Sequence, residues 1–174
     1  MMTSEILAVY ADGGVVGKNP SALGGTWAWC HVNDTRLVVP VVSTCIVAKG
    51  HDYILPHHLG VETITNNVSE YVALLRCLQA LPEGWSGPVY SDSMITLGRF
   101  GMGWRHENVP GILEVEMHEA RQRLGKLTWN LLDGHPTRAQ LEAGVGKRGG
   151  KVSVFNWLVD KWCQELGKAY RSGE

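Results

Sequence analysis

No run of apolar residues in this chain is long enough to cross a bilayer. The longest, Val38 to Val47, is interrupted by Pro40, Ser43 and Thr44, whereas a helical span needs ~18–20 apolar residues in a row. A CxxC pair is missing as well. The four cysteines, Cys30, Cys45, Cys77 and Cys163, stand far apart, which excludes a zinc-ribbon or disulfide framework and predicts scattered free thiols. Charge of one sign is not in excess: 16 Lys+Arg face 17 Asp+Glu for a net charge of −1, so no global basic field drives nonspecific nucleic-acid binding. The start, Met1 to Glu5, has neither a basic region nor a small-residue cleavage pattern, and the expected location is the cytoplasm. Internal repeats and linkers are absent. What remains is 174 residues, 44% hydrophobic and 19% charged, a composition that predicts one folded domain over residues 1–174 with a sizeable core.

Periodicity divides the chain. Residues 5–11 (EILAVYA) form an apolar run that stops at Asp12-Gly13-Gly14, which reads as a buried strand with Asp12 at its end. Gly24 to Val32 and Arg36 to Ala48 read as two further strands joined by a turn at Asn33-Asp34, with Pro40 marking a bulge or edge. Residues 49–64 have no clear period and read as loop with room for some strand, and His51, His57 and His58 read as solvated. From Val68 to Leu81 apolar residues recur at helical spacing, with Asn66 or Asn67 placed to cap the start and Pro82 and Gly84 to stop it. A short strand, residues 88–91, ends at Asp92 and is followed by a short helix to about Phe100. Then come a helix near 110–124, a strand near 126–132, a glycine-crowded and mobile stretch over 133–151, and a last amphipathic helix near 153–169. Strands first, then strands alternating with helices, predict a mixed α/β sheet.

The acids carry the chemistry. Asp12 and Asp92 each close an apolar strand, while Glu70 and Asp160 each sit one turn into an apolar-faced helix. Carboxylates brought together at such places repel one another unless cations neutralise them, and hard oxygen ligands suit Mg²⁺ or Mn²⁺. Taken singly, each acid also reads as a turn Asp, a helix cap or an exposed helix position. Gly17-Lys18 is not part of a phosphate-binding loop, because Asp12 and Asn19 occupy positions where that motif requires Gly and Ser/Thr.

Read together, four strings resemble the motifs of ribonuclease HI: Asp12-Gly13-Gly14 followed by Gly17-Lys18-Asn19-Pro20, then Thr65-Asn66-Asn67-Val68-Ser69-Glu70, then Tyr90-Ser91-Asp92-Ser93, then Asn156-Trp157-Leu158-Val159-Asp160. The TNNxxE string is the most specific of them, and the motifs run through the chain in that family's order. The resemblance implies a ribonuclease H-like five-stranded sheet, three antiparallel strands and then parallel ones, flanked by helices. It also implies a metal-dependent endonuclease that cuts the RNA strand of RNA–DNA hybrids and leaves 5′-phosphate and 3′-hydroxyl ends. Asp12, Glu70, Asp92 and Asp160 carry over as ligands of two Mg²⁺ ions, with Mn²⁺ a substitute. His135, in Asp133-Gly134-His135-Pro136, carries over as the loop histidine that assists proton transfer or product release, and an imidazole titrates in the right range for it. Asn19, Asn66 and Asn67 match contacts to the hybrid near the scissile phosphate, and Thr65 resembles a phosphate contact. Short polar groups there suit the reading of 2′-hydroxyls.

The chain departs from that pattern in places. Met94 stands where many members have a polar substrate contact, residues 33–64 are longer than usual, and no basic protrusion occurs between Asp92 and Lys126. Seven basic residues against two acidic ones from Arg121 to Lys151 then fall to the hybrid phosphates, unless they form only a solvated face or a partner supplies the contact. Trp104 reads either as a stacking or sugar-packing surface for nucleic acid or as a core or lid residue, and most other tryptophans as core. A monomer is expected. The alternatives are a non-catalytic hybrid- or duplex-binding module of the same scaffold, and a Holliday-junction resolvase-like nuclease.

Overall fold

A computed structural model describes residues 5–172; Met1–Ser4, on which the reading of the N-terminus leans, lie outside the described residues. Five strands form one sheet: β1 (Ala8–Val15), β2 (Gly25–Val32), β3 (Ile46–Ile54), β4 (Gly87–Ser91) and β5 (Leu127–Leu131). Their order is β3-β2-β1-β4-β5. β1 pairs antiparallel with β2, and β2 with β3, whereas β4 runs parallel to both β1 and β5. The helices are α1 (Pro56–Leu59), α2 (Asn66–Gln79), α3 (Met94–Gly101), α4 (Gly111–Arg123), α5 (Arg138–Ala143) and α6 (Val154–Ser172). The expected architecture is present. Among the described residues no helix is long and apolar enough to cross a membrane, and all four cysteines are buried free thiols.

β1 sits at the centre with both faces covered, which is why its sequence is almost continuously apolar. Strand alternation divides it between two cores. Val9 and Ala11 join the cluster with α2 (Tyr71, Leu74, Leu75, Leu78), and Ala8 and Tyr10 join the one with α6 (Phe155, Val159, Cys163). Between the two, α2 is buried along most of its length, whereas α6 keeps an exposed face.

Three expectations need correction. β1 does not stop at Asp12: Gly13 and Gly14 stay extended and pair with Trp27 and Thr26 of β2. Only the parallel pairing with β4 ends, at Tyr10–Tyr90. Second, the third strand is not 36–48. Residues 33–45 form a long connection, and β3 starts at Ile46, opposite Val32. The apolar stretch around Val39 packs as irregular chain against the α6 side, held by the Val154 amide donating to the Leu37 carbonyl at 3.0 Å. β3 is an edge strand with much of its length exposed, so His51, Asp52 and their neighbours lack an apolar alternation to announce it. Third, 133–151 holds a capped helix, α5, with the Thr137 hydroxyl accepting from the Gln140 amide. The Asp133 carboxylate accepts from the amides of Arg148 at 2.8 Å and Gly150 at 3.0 Å, so the glycine-rich turn is tied down.

Candidate active site

Parallel register sets two of the acids level. Tyr10 pairs with Tyr90, their rings stacked at 4.8 Å between centroids, and Asp12 and Asp92 follow two residues beyond each, Asp12 still within β1 and Asp92 just past the end of β4. Glu70 arrives from the second turn of α2. It comes close because Gly13 has no side chain: a Cβ there would lie 2.4 Å from the carbonyl carbon of Ser69 and 2.5 Å from the Glu70 amide nitrogen. Carboxylate oxygens of Asp12, Glu70 and Asp92 lie within 4.8 Å of one another. Asp12 is 5% exposed.

Asp160 stands at the margin of this group and not inside the three-way cluster. Its Oδ2 lies 3.2 Å from His135 Nδ1 and accepts from Gln164 Nε2 at 3.0 Å. It is near enough for its charge and a side-chain hydrogen bond to act on Asp12. His135 has a left-handed φ of 50°, and its ring is largely exposed. The loop approaches closely because of Gly134, where a Cβ would lie 2.7 Å from Asp92 Oδ2.

The electrostatics follow from burial. Desolvation, then the charges of Asp92, Glu70 and Asp160, hold the Asp12 carboxyl well above the usual range. Burial and then Asp92 push Glu70 up to about 8, opposed by a hydrogen bond with Ser93. Asp92 is also raised, by burial first, while Asn156 and His135 pull it down. Among the described residues no lysine or arginine pairs with any of the three. Three crowded carboxylates without an internal countercharge, all oxygen donors, fit a hard divalent cation.

The remaining candidates gather at the start of α2. Thr65, and neither Asn66 nor Asn67, is the cap, its Oγ1 accepting from the Val68 amide at 3.2 Å. Asn19 Oδ1 accepts from the Asn66 amide at 3.1 Å, which brings the Gly17–Pro20 loop against the same helix end. Asn67 is exposed and Asn66 half-exposed on the first turn.

Sequence reasoning left several supporting residues unassigned. Asn156, Asp160 and Gln164 recur every four residues and share one face of α6. Asn156 Nδ2 lies 3.4 Å from Asp92 Oδ2. That periodicity was a readable signal; the role of Ser93 beside Glu70 was not, since a serine at a helix start reads first as the cap it also is. The basic stretch divides. Arg123 donates to the carbonyls of Leu78, Gln79 and Leu81 at the end of α2, and Arg121 lies over the Trp129 ring, so these two do structural duty. Lys126, Arg138, Lys147, Arg148 and Lys151 are exposed. Trp104 packs over Gly98, where a Cβ would lie 2.1 Å from its ring, and Trp157 is 41% exposed instead of core.

No protein-family model matches the chain, and no curated protein sequence matches it significantly. Solved structures do. The N-terminal RNase H domain of rv2228c from Mycobacterium tuberculosis aligns with a TM-score of 0.61 at 16% identity, covering 96% of this chain and 98% of that one. LC11-RNase H1, isolated from compost by a metagenomic approach, aligns at 0.55 and 18% identity over 93% of this chain and 95% of its own. By the order and direction of its strands and by these two likenesses, the chain has the ribonuclease H fold.

Proposed function

We propose that the chain is a ribonuclease H, a metal-dependent endonuclease that hydrolyses the RNA strand of RNA–DNA hybrids and leaves 5′-phosphate and 3′-hydroxyl ends. The observation that carries this reading is the convergence of Asp12, Glu70 and Asp92, remote in sequence, to within 4.8 Å on a ribonuclease H fold. These three and the adjoining Asp160 would hold the cations, two Mg²⁺ ions with Mn²⁺ as substitute. Bound there, such ions supply an activated water and stabilise the leaving oxyanion.

The chain's own residues do the rest. Shared ionisation of these crowded acids stays unfavourable until cations arrive, so the burial and mutual repulsion that hold their protons on also couple metal binding to proton release. His135 is held at Nδ1 by Asp160, which leaves Nε2 on an exposed ring to take or deliver a proton at the cut. At the α2 start, Thr65 uses an oxygen lone pair for its cap and retains its O–H for a phosphate oxygen. Asn19 uses Oδ1 on the Asn66 amide and retains Nδ2. With Asn66 and Asn67 these groups suit the 2′-hydroxyls of a shallow minor groove, which distinguish RNA from DNA. The same reading has the enzyme act as a monomer in the cytoplasm.

The test is incubation of the protein and of Asp12→Asn with a labelled RNA–DNA hybrid, with and without Mg²⁺. RNA cut by the parent only with metal, and left intact by a folded Asp12→Asn, is the expected result. Hybrid bound but never cut would leave a binding module, and branched DNA cut in preference to hybrid would leave a resolvase.

A further inference from the structure

Asp160 is gripped twice through one oxygen. His135 Nδ1 at 3.2 Å and Gln164 Nε2 at 3.0 Å both meet Oδ2, which leaves Oδ1 for other partners. The two donors are unlike. His135 reaches in from a loop on an exposed ring, and a histidine that moves protons must change its own hydrogen bonding. Gln164 stands one turn after Asp160 on the 19-residue helix α6, cannot titrate, and keeps its N–H₂ as a donor at every working pH.

Packing does not force Gln164 into this position. It is exposed, and with Asp160, Gly13, Gly14 and Lys168 it lines a cleft of about 250 Å³ between β1 and α6 into which its amide has room to swing. The hydrogen bond to Asp160 is therefore what gives the side chain its direction. A carboxylate at the edge of a crowded acidic group tends to rotate outward into water, and a helix-borne donor on its far oxygen opposes that.

We propose that Gln164 is a positioning residue that holds Asp160 in its cation-binding orientation independently of His135. This rests on the reading of the site as a metal-dependent ribonuclease H. Gln164→Met keeps length and packing and removes the donor, whereas Gln164→Lys replaces the amide with a longer donor. Three measurements are made on the full chain: hybrid cleavage at varied Mg²⁺, melting temperature without metal, and the rise in melting temperature on adding Mn²⁺ alone.

Gln164→Met is expected to lower kcat about tenfold and to raise the half-saturating Mg²⁺ concentration about tenfold, at the lower end of the range for lost outer-shell partners. The KM for hybrid should stay within about twofold, since no substrate contact is removed. Its metal-free melting temperature should match the parent's, its Mn²⁺-induced rise should be smaller, and Gln164→Lys should recover most of the kcat. An unchanged kcat and Mg²⁺ requirement in Gln164→Met would overturn the proposal. So would a loss matched by a fall in metal-free melting temperature, which is what a packing role produces. If the parent gains stability from Mn²⁺ yet cuts no hybrid, the ribonuclease reading fails while the Mn²⁺ comparison still decides the role of Gln164. If the parent responds to neither, both fall.

Discussion

Tyr10 and Tyr90 are register partners in parallel strands with rings stacked at 4.8 Å, and that pairing brings Asp12 and Asp92 to one level. A strand slip by one residue would turn one carboxylate to the opposite face. The stack, buried against Phe155, therefore fixes the spacing of the acidic group from below, while Gly13 fixes it from the side of α2. Asp12, Glu70 and Asp92 are thus placed by paired strands and a buried helix, and their charge is what the fold must tolerate.

That charge gives the metal-free protein an unusual pH response. Burial and the neighbouring Asp92 push Glu70 up to about 8 in the folded chain from an ordinary value of 4.5, and Asp12 and Asp92 are raised with it. Between those limits the native state binds more protons than the unfolded chain, so the free energy of unfolding falls as pH rises. Melting temperature measured without metal should decline from about pH 7 to about 8.5, above the range in which His31 and His106, held below the ordinary imidazole range by burial, add a slope of the opposite sign. Added Mg²⁺, which displaces those protons, should stabilise more at the upper end than at the lower. A flat or rising metal-free profile would contradict the crowded-acid geometry.

Gly13→Ala tests the approach of α2. The new methyl would lie 2.4 Å from the Ser69 carbonyl carbon and 2.5 Å from the Glu70 amide nitrogen, both backbone atoms that cannot rotate aside. Overpacking of this kind costs about 1–3 kcal/mol, and here it also pushes Glu70 away from Asp12 and Asp92. Urea unfolding should register that loss. The variant, still folded, should lose more cleavage activity than its stability alone accounts for.

His135→Ala removes a proton-handling group that touches no core. The ring is 77% exposed, so stability should be unchanged. Turnover should fall by about a hundredfold, at the modest end of general acid–base contributions, with KM for hybrid retained. Steady-state kinetics at saturating Mg²⁺ checks this, and an unaltered kcat would return His135 to an ordinary surface residue.

Much of this was legible in sequence where one physical rule dominated. Apolar runs closed by turn residues and the helical stripe from Val68 to Leu81 announce the central strands and α2, because burial on both sides writes itself in apolar residues. The acids at 12, 70 and 92 stood out because carboxylates beside apolar runs are costly. β3 was misplaced because an edge strand needs no apolar face, and Val38 to Val42 imitated one. The continuation of β1 past Asp12 was hidden because Gly13 and Gly14 suggest a turn, yet here they are extended and small so that a helix can rest on them. Asp160 reads in the same way as those acids, one turn into its apolar-faced helix, but its position at the margin depends on α6 packing that no local pattern encodes.

The last prediction concerns the exposed cations beside the site. Asp133 ties the amides of Arg148 and Gly150, so Lys147 and Arg148 stand on a braced turn and not on a loose tail, following the loop that carries His135. A net charge of −1 over the whole chain gives no general attraction to nucleic acid, and affinity must come from such local groups. If both contact phosphates, Lys147→Glu with Arg148→Glu should weaken hybrid binding at 50 mM salt by about tenfold or more, and should reduce the slope of log affinity against log salt by about 2, one per lost contact. The cleavage rate at saturating hybrid should be unchanged, because neither side chain reaches the acids. A salt slope equal to the parent's would assign the phosphate contacts elsewhere, leaving Arg121, Lys126, Arg138 and Lys151 as the remaining exposed cations of the segment.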